Sequence, residues 1–232
     1  MLLAFCILSH GKPLLTIRCV ENLSRCGASD IIVLDNGSSG SDSQLLTDGL
    51  DGKATIKHSD VNLGITKGRI VLADTADRMG ALRIVFLDND QFPTKHAIAA
   101  YDAKPAGHMM GAEAWSVNSD FKPISMVWGD GERFTYVGCG GLCVDMADWH
   151  LVGGFDPQFS PYYFEDPDFC MRAFDAGLSM HPMRKEHVVH EAHSTLSGKK
   201  DRMAMFLSNY VKFRNKWSGR KDLLQRGVIS WD

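Results

Sequence analysis

The sequence predicts an α/β fold built on a doubly wound, mainly parallel sheet. Short, wholly apolar runs of strand length alternate with longer segments of helical period through the first half of the chain. Two of those runs, Ile31–Leu34 and Ile84–Leu87, stop at an aspartate. Ligands of such sheets bind at the carboxyl ends of the strands. With 232 residues, 44% of them hydrophobic, the chain can bury a substantial core.

The elements follow in order. Leu2–Leu8 reads as the first strand. Pro13–Leu23 carries Leu14, Leu15, Ile17, Val20 and Leu23 at helical spacing. Ile31–Leu34 is the second strand, ending in Asp35-Asn36-Gly37-Ser38, with Ser41 or Asp42 placed to cap a following helix. Ala54–His58 reads as a third strand, and Thr66–Arg78 as a helix with Ile70, Val71, Ala73 and Ala76 inward. Ile84–Leu87 is the fourth strand. In the second half, Gly107–Trp115 and Thr135–Val144 look like strands. The polar stretch Ser116–Gly131 between them reads as a mobile loop. Asp166–Ala176 is a short helix ended by Gly177, and Phe206–Trp217 the last long one. The whole reads as one domain, with a nucleotide-binding half over about 1–105 and an acceptor half over about 106–232.

Composition narrows the function. A net charge of −3 does not suggest a polyanion partner for the whole molecule. Between Lys199 and Arg226, however, nine basic residues face two acidic ones, which fits a solvated helix face or contact with a phosphate-bearing partner. The six cysteines form no CxxC pair and read as buried free thiols of a reducing compartment. The apolar start MLLAFCIL lacks a basic flank and a cleavage site, and no run is long enough to span a bilayer. A cytoplasmic location is expected, with peripheral membrane contact left open by the basic segment.

Four groups of residues have chemical potential. Asp88-Asn89-Asp90 puts two carboxylates at a strand end, where they can share a hard cation such as Mn²⁺ or Mg²⁺ and a ribose hydroxyl, or form a polar turn. Asp35 can accept from a nucleobase N–H. In Glu165-Asp166-Pro167-Asp168, Asp166 before Pro167 fits a helix N-cap, and either Glu165 or Asp166 fits a general base. His187, His190 and His193 recur every third residue, but Val188 and Val189 favour a strand. One histidine reaching the metal of Asp90 therefore fits better than three ligands from this segment.

Together these segments resemble the family 2 glycosyltransferases of GT-A fold, especially the rhamnosyltransferase-like bacterial members. The resemblance rests on Ile31–Ser38, Asn62-Leu63-Gly64, Phe86–Pro93, Val152–Asp156, Tyr162–Arg172, Val189-His190 with Ser194, and Lys216-Trp217, all in the family's order. It implies a metal-dependent, inverting transfer of sugar from a nucleotide-diphosphate-sugar to an acceptor hydroxyl. Asp35 would contact the base and Asp88 the ribose and the metal. Asp90 and His190 would be metal ligands, Asp166 the base, and Glu165 its aid in orienting the acceptor. Ser9, Arg69 and Asn89 would complete the nucleotide side, Asn89 mainly as a spacer. Ile70 stands where the family often has Asn, and Ser9-His10-Gly11 lacks its Tyr. The Ser116–Gly131 loop would close over the donor. The acceptor stays open among glycans, lipid-linked glycans, protein and modified nucleic acid. A nucleotidyltransferase on a related fold and a non-catalytic nucleotide-sugar-binding protein are the alternatives.

Overall fold

The computed structural model describes residues 3–191 and 201–231. The first half alternates as expected: β1 (Leu3–Ser9), α1 (Pro13–Arg25), β2 (Asp30–Asn36), α2 (Gly40–Leu50), β3 (Thr55–Ser59), α3 (Gly64–Arg78) and β4 (Arg83–Asp88). After it come β5 (Gln91–Pro93), α4 (Lys95–Ala103), β6 (His108–Gly111), β7 (Ala114–Val117), β8 (Pro123–Val127), β9 (Arg133–Phe134), β10 (Tyr136–Val137) and β11 (Leu142–Asp145). The chain continues with α5 (Met146–Val152), α6 (Glu165–Asp175), β12 (Ser179–Pro182), β13 (Val188–His190), α7 (Arg202–Trp217) and β14 (Gly227–Val228).

Among the described residues, seven strands form the central sheet in the order β12-β6-β11-β4-β1-β2-β3. Only β11 runs against the others. The sheet thus draws strands from both halves of the chain. Its apolar runs alternate between two cores, as a strand buried on both faces requires. Ala4, Cys6, Ile84 and Phe86 face α3, α5 and α6. Phe5, Ile7, Val85 and Leu87 face α1, α2 and α4.

Three expectations are corrected. The stretch Ser116–Gly131 is not one loop: its middle, β8, pairs antiparallel with β7 and bulges at Ile124. Ile124, Ser125 and Met126 are all exposed, so the apolar–polar alternation that marks a strand is missing. The cap of α2 is Ser39, whose hydroxyl accepts from Asp42 N, not Ser41 or Asp42. Asp166 does not cap α6. The helix starts one residue earlier, at Glu165, and no side chain caps it. Tyr163 and Phe164, both left-handed at φ 76° and 72°, bring the chain into the helix ahead of Pro167.

Those two aromatic residues hold a conformation that costs about 1–3 kcal/mol each. Asn209 of α7 opposes that cost. Its buried side-chain amide donates to the carbonyls of Phe159, Tyr162 and Tyr163 at 2.8–3.2 Å. Asp168 is structural as well: fully buried, it accepts from Trp217 Nε1 (2.9 Å) and Arg172 Nε (2.9 Å) and pairs with Lys216. Arg172 in turn donates to Val152 O and Gly154 O. The two sequence blocks Val152–Asp156 and Glu165–Arg172 are one packed unit.

Much of the basic C-terminal segment is used internally. Lys216 pairs with Asp156 and Asp168, Arg220 with Asp175 and Asp222, and Arg226 donates to Phe174 O. Lys199 and Lys200, like His193 and Ser194, lie outside the described residues. No helix among the described residues is long and apolar enough to cross a membrane. All six cysteines are free, and only Cys26 is partly exposed.

Candidate active site

The carboxyl edge of the parallel strands sets the site. Leu8 pairs with Asp88 and Ser9 with Asp35, so the two aspartates stand at almost one level on either side of β1. Two strand spacings put them roughly 10 Å apart, the span of a nucleoside.

At the β2 end, Asp35 is buried and accepts from Ser38 N (3.2 Å) and His58 Nδ1 (3.2 Å). Burial pushes its pKa up, but the hydrogen bonds from Ser38, Ser43 and His58 outweigh that and hold it below the ordinary value. Asn36 fixes the next turn: its side chain accepts from Leu63 N and donates to Asn62 Oδ1 and Gly64 O. Gly37, at φ 73°, lies where a Cβ would overlap the backbone of Val61 and Asn62. This contact explains why Asp35–Ser38 and Asn62–Gly64 occur together.

At the β4 end a cavity of about 320 Å³ opens. Asp88, Arg69, Gln91, Glu113, His190, Glu165 and Asp166 line its polar side, and Trp115, Tyr136, Tyr162, Tyr163 and Phe206 its aromatic side. Arg69, buried on α3, donates to Asp88 Oδ1 at 2.6 Å. Its Nε is buried with no hydrogen-bond partner, and so is Glu165 Oε2. Both are groups for which a bound ligand or proton would supply the missing partner.

His190 reaches the cavity because β13 pairs antiparallel with β5, placing it opposite Gln91. Its Nε2 lies 3.4 Å from Asp90 Oδ1 and its Nδ1 3.2 Å from Glu113 Oε1. The two carboxylates raise its pKa to about 10. His187 ends a short turn before β13 and stacks on His96 instead.

Glu165 and Asp166 open α6 on the far wall. Burial and the charge of Asp166 push Glu165 up to about 8. Burial also pushes Asp166 up, to about 6, against the opposing pull of Arg69 and the N–H of Cys139. Glu165 is 5% exposed and Asp166 is half-buried, so Asp166 is the carboxylate with a free face. Cys139 also lines the cavity, but burial holds its thiol well above the ordinary value, which leaves little thiolate.

Of the residues expected at the site, Arg69, Asp88, His190, Glu165 and Asp166 line one cavity and Asp90 adjoins it through His190. Asp35 stands apart, two strands away. Ser9 and Asn89 do not line the cavity. Both hydrogen-bond to Thr16 Oγ1, at 2.7 and 3.0 Å, and tie α1 to the end of β1 and to the turn before β5. Glu113, His58 and Asn209 carried no sequence signal, since each acts on partners distant in the chain.

No family model matches the sequence, and a search of curated proteins finds no match. The fold does have solved counterparts. GalNAc-T7, solved with UDP, GalNAc and Mn²⁺, superposes at a TM-score of 0.69 over 94% of this chain and 48% of that one, at 13% identity. S. aureus TarS 1–349 superposes at 0.56 over 75% of this chain and 55% of that one, at 17% identity. The fold is GT-A. This chain spans about half the length of those two proteins. Within the GT-A fold, the Asp88 cavity occupies the carboxyl edge of the sheet where the sequence placed the nucleotide.

The residues present fit a divalent cation only in part. Among the described residues, no three His, Cys, Asp or Glu side chains form a ready cage. Asp90 and His190 make a two-ligand side, while Asp88 is held by Arg69. That set suits an ion bound through one or two carboxylates and completed by substrate phosphates, not one held by protein alone.

Proposed function

We propose that this chain is a nucleotide-sugar-dependent glycosyltransferase. One observation carries the reading: Asp88, Arg69, His190 and the Glu165–Asp166 pair line a single cavity at the carboxyl edge of a GT-A sheet. UDP-sugars are the first donors to test, because two of the superposed proteins were solved with UDP or UDP-GlcNAc.

Asp35 and the turn beside it take the base, and Asp88 the ribose. Asp90 and His190 hold a Mn²⁺ or Mg²⁺ ion, which when bound with the diphosphate supplies positive charge to the leaving group. Arg69 adds a fixed cation beside Asp88. Opposite these groups, Asp166 takes the proton of the incoming hydroxyl. Glu165, held neutral near pH 7, orients that hydroxyl without adding a second charge to the cavity. The aromatic wall of Trp115, Tyr136 and Tyr162 excludes water from the sugar. Nucleophile and leaving group on opposite walls give single displacement with inversion. The 1–105 part carries the donor, and the 106–232 part supplies the base and the acceptor side.

The test is release of nucleotide diphosphate from a panel of nucleotide-sugars with Mn²⁺, wild type against Asp90→Ala, with the product's anomeric configuration read by NMR. Asp90→Ala is expected to lose at least about 100-fold. Equal metal-dependent turnover by the two proteins would refute the assignment of the site.

A further inference from the structure

We propose that Glu113 is a positioning residue that fixes the ring orientation and tautomer of His190 for metal binding. The inference rests on the reading of Asp90 and His190 as the protein's metal-binding side.

Glu113 sits in the two-residue connection between β6 and β7, 77 positions before His190 in the chain. The connection is held by its own backbone, since Gly138 N donates to Glu113 O at 2.9 Å. From there the carboxylate lines the cavity and meets His190 Nδ1 at 3.2 Å. His190 is fixed just as firmly. It pairs with Gln91 across β5, and Glu191 N donates to Asp90 O at 2.9 Å. The imidazole therefore lies between two carboxylates, each facing a different ring nitrogen.

The two contacts are not equivalent. An imidazole that ligates a cation through Nε2 must carry its remaining proton on Nδ1. A cation that binds Nε2 displaces the proton there and leaves the one on Nδ1, whose hydrogen bond Glu113 accepts, so Glu113 holds the tautomer whose Nε2 lone pair faces the Asp90 side. Glu113 itself lies across the ring from that side, which places it behind the ligand and not in the coordination set. Carboxylates in this position behind a ligating histidine usually contribute 10–100-fold to metal affinity.

The experiment measures Mn²⁺ affinity in the presence of UDP by electron paramagnetic resonance, for the wild type, Glu113→Ala and Glu113→Gln. The expected result is Mn²⁺ binding weaker by about 10–100-fold in Glu113→Ala and by a smaller factor in Glu113→Gln, which keeps an acceptor oxygen. UDP affinity in EDTA should stay at the wild-type value in both. Because Glu113→Gln preserves size, it decides the matter if the alanine variant folds poorly. Wild-type Mn²⁺ affinity in both variants would overturn the role of Glu113 alone. A wild-type protein that binds no Mn²⁺ with UDP would overturn the metal reading, and the inference with it.

Discussion

Arg69 donates to Asp88 Oδ1 at 2.6 Å while its charge also lowers the pKa of both Glu165 and Asp166. One buried guanidinium thus couples the two walls of the cavity. Arg69→Met should weaken UDP binding by about 10–100-fold, because it removes a buried cation from the cavity and leaves the Asp88 carboxylate without its charged partner. It should also raise the pKa of Asp166, the proposed base. In the wild type the rate should rise with pH through about 6, because Asp166 must be deprotonated to act as base and burial raises its pKa. In Arg69→Met that rise should come at higher pH. A pH profile of kcat/KM on each protein checks both statements.

Glu165 predicts a trade of stability against function. Its folded-state pKa, about 8, lies above the ordinary 4.5. The folded state therefore binds a proton that the unfolded chain releases, and stability falls as pH rises from about 4.5 to 8. Glu165→Gln removes this loss. Its Tm should exceed the wild-type value at pH 8 by a few degrees, since about 1 kcal/mol shifts a domain of this size by roughly 2–4 °C. The gain should vanish near pH 4.5. A lower Tm at pH 8 would show that the folded state does not raise the pKa of this carboxylate.

Asn209 holds the left-handed turn that aims Glu165 and Asp166. Asn209→Ala leaves three carbonyls without their donor and should cost roughly 2–3 kcal/mol of stability. Below the melting temperature, kcat should fall more than UDP affinity, because Asp88 and Asp90 do not depend on that turn. Chemical denaturation and steady-state kinetics separate the two effects.

Much of the fold was legible because its strands are buried on both faces and read as plain apolar runs: β1, β2 and β4 lie inside Leu2–Asp88 where expected. Of α2 only the capped start was legible, because just Leu46 and Leu50 are buried along its length. The exposed strand β8 escaped because Ile124 and Met126 face solvent, which reverses the usual signal. At the site, Asp88, Asp90, His190 and the Glu165–Asp166 pair were legible as short motifs at element ends. Glu113 was not, because a lone glutamate in a turn has no pattern and only the register of β13 on β5 brings His190 to it. The capping role expected of Asp166 failed for a backbone reason. Left-handed Tyr163 and Phe164 start the helix at Glu165, which frees the Asp166 carboxylate for the cavity.

That freed carboxylate gives the most direct test of the central claim, that the Asp88 cavity is both the donor site and the place of transfer. The measurement is UDP-sugar affinity by calorimetry with Mn²⁺, beside the rate of UDP release, for wild type and Asp166→Asn. Donor affinity should be unchanged and the rate lower by about 10²–10⁴-fold, the range of a lost general base. A folded Asp166→Asn protein that releases UDP at the wild-type rate would contradict it.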